Sequence, residues 1–331
     1  MTRVARWVAF WDEREPPTAL ACIRIALALV MLVDLAAIGW HGVATWLWAP
    51  LEAGGIVGWG AADAPLFYRL LPPSAASAQL LWLGLVLSVL CVGAGFCMRG
   101  AALGYVWLSA QAALINGPAD RAIDRAVRIM MLILVLSPAA QVWSIDAWRK
   151  TGHFRGSPEP APAWPRYMIL AQLVLIYFGA GLAKGGTSWY PWGGYRALYL
   201  TLQDPILAAA DFRWLARPLP FRLTQVATAL THLWELSAPL VLLAAHYRRR
   251  PERARGWRRA FLLVPVRNLY VALGVAFHLT LALTLRLGIF PFAMLACFPA
   301  FFRPEELERG FGRLRAGWAS AFSRPGNAPS P

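Results

Sequence analysis

Apolar residues in this chain gather into runs of about 17 to 25, the length a helix needs to cross roughly 30 Å of hydrocarbon. Within lipid each backbone N–H and C=O must be satisfied inside its own segment, so repeated runs of this length dictate helices. Only 15% of the 331 residues are charged while 58% are hydrophobic; an ordinary soluble domain carries about 25% charge. The fold class read from this pattern is all-α: a polytopic integral membrane helical bundle. Its spans are placed at 18–40, 76–98, 101–117, 126–142, 165–184, 222–245, 265–286 and 288–302. That makes about eight, or seven plus one short, because the last run contains Pro291 and Pro299 and is read as broken or partly inserted.

The segments around the spans divide the chain into three parts. Residues 1–17 mix charge with aromatics (Arg3, Arg6, Trp7, Phe10, Trp11, Asp12, Arg14) and suit a helix lying at the interface. The run 18–40 is too long for a signal-peptide core and is read as a retained span. Residues 18–303 form the transmembrane domain, and residues 304–331 a cytoplasmic basic tail, its Pro- and Ala-rich end 323–331 disordered.

Charge fixes the expected orientation. The formal net charge of +15 is concentrated in particular loops, so it marks membrane topology and not nucleic-acid binding. The heaviest loop, 248–267, carries eight arginines, among them Arg248, Arg249, Arg250 and Arg267. Placed in the cytoplasm of an inner (plasma) membrane, it faces anionic lipid, as does the tail with Arg303, Arg309, Arg313 and Arg315. Both termini are then inside. The opposite side receives two long loops, 42–75 and 185–221, rich in Trp, Gly and Pro, which are candidate lids. Trp40, Trp46, Trp48, Trp59, Trp189 and Trp192 suit an outer interfacial belt. Cys22, Cys91, Cys97 and Cys297 lie in apolar runs without metal-ligand rhythm, so they are read as small buried hydrophobes, with no metal site. No internal repeat of the transporter kind is seen.

Ionisable groups inside spans are costly and are the candidate functional residues. Asp34, His278 and Lys184 fall in the outer parts of their spans, and His232 and Glu235, three apart, share a face of span six. Asp120, Arg121, Asp124 and Arg125 stand at the outer start of span four. Together these predict an outward-opening polar cavity built from spans one, four, five, six and seven. Each residue also has a plain structural reading. Lys184 can complement its helix C-terminus, His278 can be a core histidine on a backbone carbonyl, and His232 with Glu235 can be a structural pair. Asp34 and Arg24 are ten residues apart, about 15 Å along one helix, so Asp34 is expected to pair with a cation elsewhere.

The segment containing Gln172, Tyr177, Phe178, Ala180, Gly181, Lys184 and Trp189 resembles the membrane domain shared by vitamin K-dependent gamma-carboxylases and a bacterial set, the HTTM (horizontally transferred transmembrane) family. Arg24 with Asp34, Ser144-Ile145-Asp146, Glu235-Leu236-Ser237-Ala238, Phe277-His278, Gly288-Ile289-Phe290 and Met294-Leu295-Ala296 with Pro299 follow in family order, from about residue 18 to 303. The resemblance implies that Lys184 is the base that deprotonates a reduced, vitamin K-like quinone; His278, an ionisable group within a span, is taken as a second catalytic residue. Asp34, His232, Glu235, Asp120 and Asp124 would then be supporting polar groups. A lysine in an apolar site loses stability as the ammonium, which suits it to that role. Two departures stand against full carboxylase activity. No histidine lies between His41 and His153, where the carboxylase has one in the region matching 116–128, and only residues 304–331 follow the last span.

Two functions follow as expectations. The first is a carboxylase-like membrane enzyme acting on an apolar quinol, with a peptide or protein substrate. The second is a non-enzymatic accessory protein for maturation or export of a peptide or toxin, its outer loops the binding surface. The partners expected are membrane lipid and a peptide or protein, not nucleic acid.

Overall fold

The computed structural model describes residues 2–58, 64–157 and 159–322. Among the described residues the regular structure is helical, apart from a two-residue antiparallel ribbon joining Arg14–Glu15 to Ala161–Pro162 and two isolated bridges, Pro50 to Val57 and Ala208 to Leu285. The principal helices are α1 (Arg3–Trp11), α2 (Thr18–Trp40), α3 (Ala75–Ala94), α4 (Met98–Ile115), α5 (Ala122–Val135), α6 (Trp164–Ala183), α7 (Pro218–Leu236), α8 (Ala238–Arg249), α9 (Val266–Thr284), α10 (Phe290–Ala296) and α11 (Pro304–Phe322).

Among the described residues α2, α3, α6 and α9 are long and apolar enough to cross a membrane, and the bent pair α7–α8 makes a fifth if counted as one span. Leu29, Val33, Leu83, Leu87, Leu175 and Leu182 stand exposed on the outer faces of α2, α3 and α6, as helices solvated by lipid require. The predicted spans 101–117 and 126–142 correspond to α4 and to the shorter α5. The latter begins earlier than expected because the Asp124 carboxylate accepts the Arg121 backbone N–H at 2.9 Å and starts the helix there. The predicted continuous span 222–245 is broken. α7 and α8 meet at Ser237 with a 47° bend, since Pro239 has no N–H to give and its ring disfavours a helix running through it. The last predicted span is α10 followed by a 3-10 turn, Phe298–Phe301, with Pro291 and Pro299 near the starts of the two pieces.

Helices α2 to α5 pack in chain order, α6 carries α7 and α8, and α10 with its 3-10 turn inserts between α2 and α9. Arg24, fully buried in α2, fastens this first half. It donates to the carbonyls of Val92 (2.8 Å), Gly93 (2.7 Å), Ala139 (3.1 Å) and Trp143 (2.6 Å), capping α3 and binding the turn after α5. Gly95 makes this possible: it holds φ +65° at the end of α3, and a Cβ there would lie 2.6 Å from the Arg24 guanidinium and 2.3 Å from Ser144.

One end of the bundle is basic and carries the chain's N-terminal segment. There Arg166 grips Glu15 (2.6 Å), Arg249 meets Glu13 (2.9 Å) and Arg267 meets Glu306 (2.6 Å). Helix α1 lies at this end with Val4, Trp7 and Val8 exposed. The expected tail begins instead as α11, started by Pro304 and acidic Glu305 and Glu306, and its Glu308 accepts from Thr18 at 2.6 Å. The stretch 323–331 and Trp59 lie outside the described residues. Of the expected tryptophan belt, Trp40, Trp46 and Trp192 are exposed, but Trp48 is buried and Trp189 is half-buried over a lysine. Cys297 is buried, whereas Cys97 is exposed in a left-handed conformation that starts α4, which corrects its reading as a core residue.

At the far end, loop 185–217 folds onto α7. The Ala197–Gln203 and Arg213–Ala216 turns pack on it. Leu202, Leu215 and Leu285 form a small core there, and Arg286 N–H donates to the Leu207 carbonyl at 2.7 Å.

Candidate functional site

The candidate residues lie toward the end of the bundle away from the basic face. From Arg166 to Lys184 is about 27 Å along α6, and from Thr18 to Asp34 about 24 Å along α2. They form two groups, where the sequence predicted one cavity.

The first group lines a cavity of about 370 Å³ between α2, α4 and the start of α5. Arg121 stands between two carboxylates, donating to Asp34 (2.6 and 3.1 Å) and to Asp124 (both 2.9 Å). Asp34 thus finds its cation on another element, as expected. Asp120 accepts from Arg125 (3.0 Å) and Arg128 (2.8 Å). Burial alone would raise the Asp120 carboxyl, but these hydrogen bonds outweigh it and hold the group below the usual carboxylate range. Every charge in this group is matched, so it reads as a clamp joining α2 to α5.

The second group lies where α6 ends against the α7–α8 bend. Gly181 permits the approach: a Cβ there would meet the Leu236 side chain at 3.0 Å and Glu235 Cβ at 3.2 Å. Lys184 caps α6, its Nζ 3.4 Å from the Ala180 carbonyl. The same ammonium lies over both oxygens of Glu235. It donates to Oε1 at 2.7 Å and stands 2.6 Å from Oε2, which is less well directed. The indole of Trp189 covers it at 4.8 Å. The side chains of Lys184 and Glu235 are 17% and 5% exposed, so the lysine is not extended into interfacial water. His232 does not bond Glu235; its Nε2 is 3.2 Å from the Gly181 carbonyl, and its ring meets Tyr190 edge-on.

Deeper between α6, α7 and α9, His278 is fully buried. Its Nε2 is 2.7 Å from the Tyr177 hydroxyl, where a backbone carbonyl was the expected partner. Trp234 packs against Tyr177 and stacks on Tyr270, with ring centroids 4.7 and 5.0 Å apart. His278 Nδ1 and Tyr270 Oη are buried without a hydrogen-bond partner among the described residues. Sequence reasoning gave Tyr177 no role and passed over Trp234 and Tyr270. The available signal was spacing, since Tyr177 is two turns before Lys184 and on the same face of α6.

Residues 13–233 match the family model described as the HTTM domain, two thirds of the chain. The chain belongs to the HTTM family. The match includes Asp34, the Asp120–Arg128 region, Lys184 and His232; Glu235 and His278 lie beyond it. No curated protein and no solved structure matches the chain.

Proposed function

We propose that this HTTM protein is a multi-pass protein of the inner (plasma) membrane, with about eight spans and both termini in the cytoplasm. In this reading it is a gamma-carboxylase-like enzyme in which Lys184 with Glu235 moves a proton for an apolar, quinol-like ligand. The orientation rests on the arginines at the basic end. The span count is supported by exposed Leu103 and Leu114 on α4 and Leu132 and Leu136 at α5, apolar faces that suit lipid.

The observation that carries the chemistry is the part-buried ammonium held between a carboxylate and an indole face at a helix break. For Lys184 to accept a proton from a ligand hydroxyl, it must first pass one to Glu235 along their 2.7 Å hydrogen bond. The pair is then amine and carboxylic acid, and its net charge is unchanged, which matters in a low-dielectric setting. What supports an oxygen-bearing ring is the polar atoms left over beside an aromatic cluster. Tyr177, Trp234 and Tyr270 offer aromatic faces, and His278 Nδ1 and Tyr270 Oη are orphaned polar atoms that a hydroxyl or carbonyl would satisfy. A reduced quinone, when bound, supplies an acidic hydroxyl and an electron-rich ring.

Photocrosslinking tests this. With the purified protein in lipid nanodiscs and a photoreactive quinone, labelling is expected on α6 or α7 near Lys184. It should be lost in Lys184→Ala and reduced in Glu235→Gln at matched folding. Equal labelling of all three, or none, overturns the ligand site.

A second reading, accessory to maturation or export of a peptide or toxin, is favoured by the exposed Trp192, Ile206 and Trp214 on the layer formed by loop 185–217. It predicts crosslinking of an apolar peptide to that layer, insensitive to Lys184→Ala.

A further inference from the structure

A cavity of about 760 Å³ lies at the basic end and plays no part in the chemistry above. It opens between α1, α6 and α8 and is lined by six arginines (Arg166, Arg248, Arg249, Arg250, Arg267, Arg303) against one carboxylate, Glu13. Three of the six are already matched: Arg166 by Glu15, Arg249 by Glu13 and Arg267 by Glu306. Arg248 donates only to the carbonyls of Phe261 and Val264, which carry no net charge. Arg250 and Arg303 make no side-chain hydrogen bond or ion pair among the described residues. Trp11 Nε1, on the α1 side, is buried without an acceptor.

Much of the remaining wall is hydrocarbon (Leu170, Ala171, Val241, Leu242 and Phe301), with Tyr167 and His246 among the lining side chains. At its rim Phe10, Met168 and Leu242 are exposed. A cavity with three guanidinium groups outside any ion pair at one end and an apolar wall at the other matches an amphiphile whose head is anionic.

We propose that this cavity holds one anionic phospholipid of the adjoining leaflet. Arg248, Arg250 and Arg303 face its phosphodiester, Trp11 Nε1–H donates to a phosphate or ester oxygen, and an acyl chain lies along Leu170 and Leu242. The bound lipid adds a further tie between the interfacial helix α1, α6 and α8, which already meet where Phe10 stacks on Tyr167.

Native mass spectrometry of the full-length protein, with phosphatidylglycerol or phosphatidylcholine added to the detergent, tests it. One phosphatidylglycerol is expected to remain bound under activation that strips phosphatidylcholine, and millimolar inorganic phosphate should not displace it. Arg250→Ala with Arg303→Ala is expected to weaken retention roughly thirtyfold, the loss two arginines at an anionic surface account for. Leu242→Trp, which narrows the apolar half and leaves every charge in place, is expected to weaken it as well, so the outcome does not depend on the arginine variant folding. Equal retention of both lipids, displacement by phosphate, or unaltered binding in Leu242→Trp overturns the proposal.

Discussion

Arg24 shows how much a single residue can hold together. Its guanidinium serves carbonyls from three separate stretches, at 92–93, 139 and 143. Arg24→Met deprives the Gly93, Ala139 and Trp143 carbonyls of this donor, and is expected to destabilise the protein by about 3–5 kcal/mol in equilibrium unfolding from mixed micelles. Lys184 and Glu235 call for a different experiment, because each alone becomes an unmatched buried charge. Thermal unfolding is expected to suffer in Lys184→Met and in Glu235→Leu, and to recover in the double variant. If recovered stability comes without quinone labelling, the pair serves the ligand; full labelling in the double variant would make it a structural pair alone. Glu306 supplies the pH prediction. The hydrogen bonds from Arg267 hold its carboxyl below its ordinary value of 4.5, so its contribution is complete above that pH and is lost as pH falls through the lower docked value. A spin label at Phe311 is expected to gain mobility as pH drops below about 4.5, and Glu306→Gln is expected to remove that acid-dependent step.

Among the elements, the α7–α8 break sets the site, because it brings Glu235 to the last turn of α6. Pro239→Ala restores the missing N–H and is expected to straighten the 47° bend. Paired spin labels at Val226 and Leu243, both exposed, would move apart by several ångströms; an unchanged separation would assign the bend to packing. This break also marks what the sequence could reveal. Run length located α2, α6 and α9 within a residue or two at most ends, because the thickness of hydrocarbon demands it. Hydropathy over 222–245 reads composition and not backbone continuity, so Pro239 passed unnoticed within an apolar run. Asp34 could be assigned a distant cation by excluding Arg24 on distance, but nothing local named Arg121, 87 positions away. The approach of Lys184 to Glu235, 51 positions apart, depends on the small Gly181 and on that bend. Tyr177 beneath His278 was hidden for the same reason: a tertiary contact leaves no trace in periodicity.

Taken whole, the bundle has a basic end tied by ion pairs and a far end roofed by loop 185–217. After replacement of the four native cysteines, a membrane-impermeant maleimide applied to intact cells is expected to label Ile206→Cys, and to label Glu252→Cys only after permeabilisation. The reverse pattern would invert the orientation proposed here. The small ribbon at the basic end carries a further consequence, for biogenesis. Glu15 cannot meet Arg166 until 151 further positions have been synthesised, roughly 8–30 s at about 5–20 residues per second. During that interval α2 to α5 can insert and pack around Arg24, whose partners have all emerged by Trp143. Until then the N-terminal segment is an unfastened end, and closure of this clasp gives it its first tie to α6, ahead of the packing of α10 on α2.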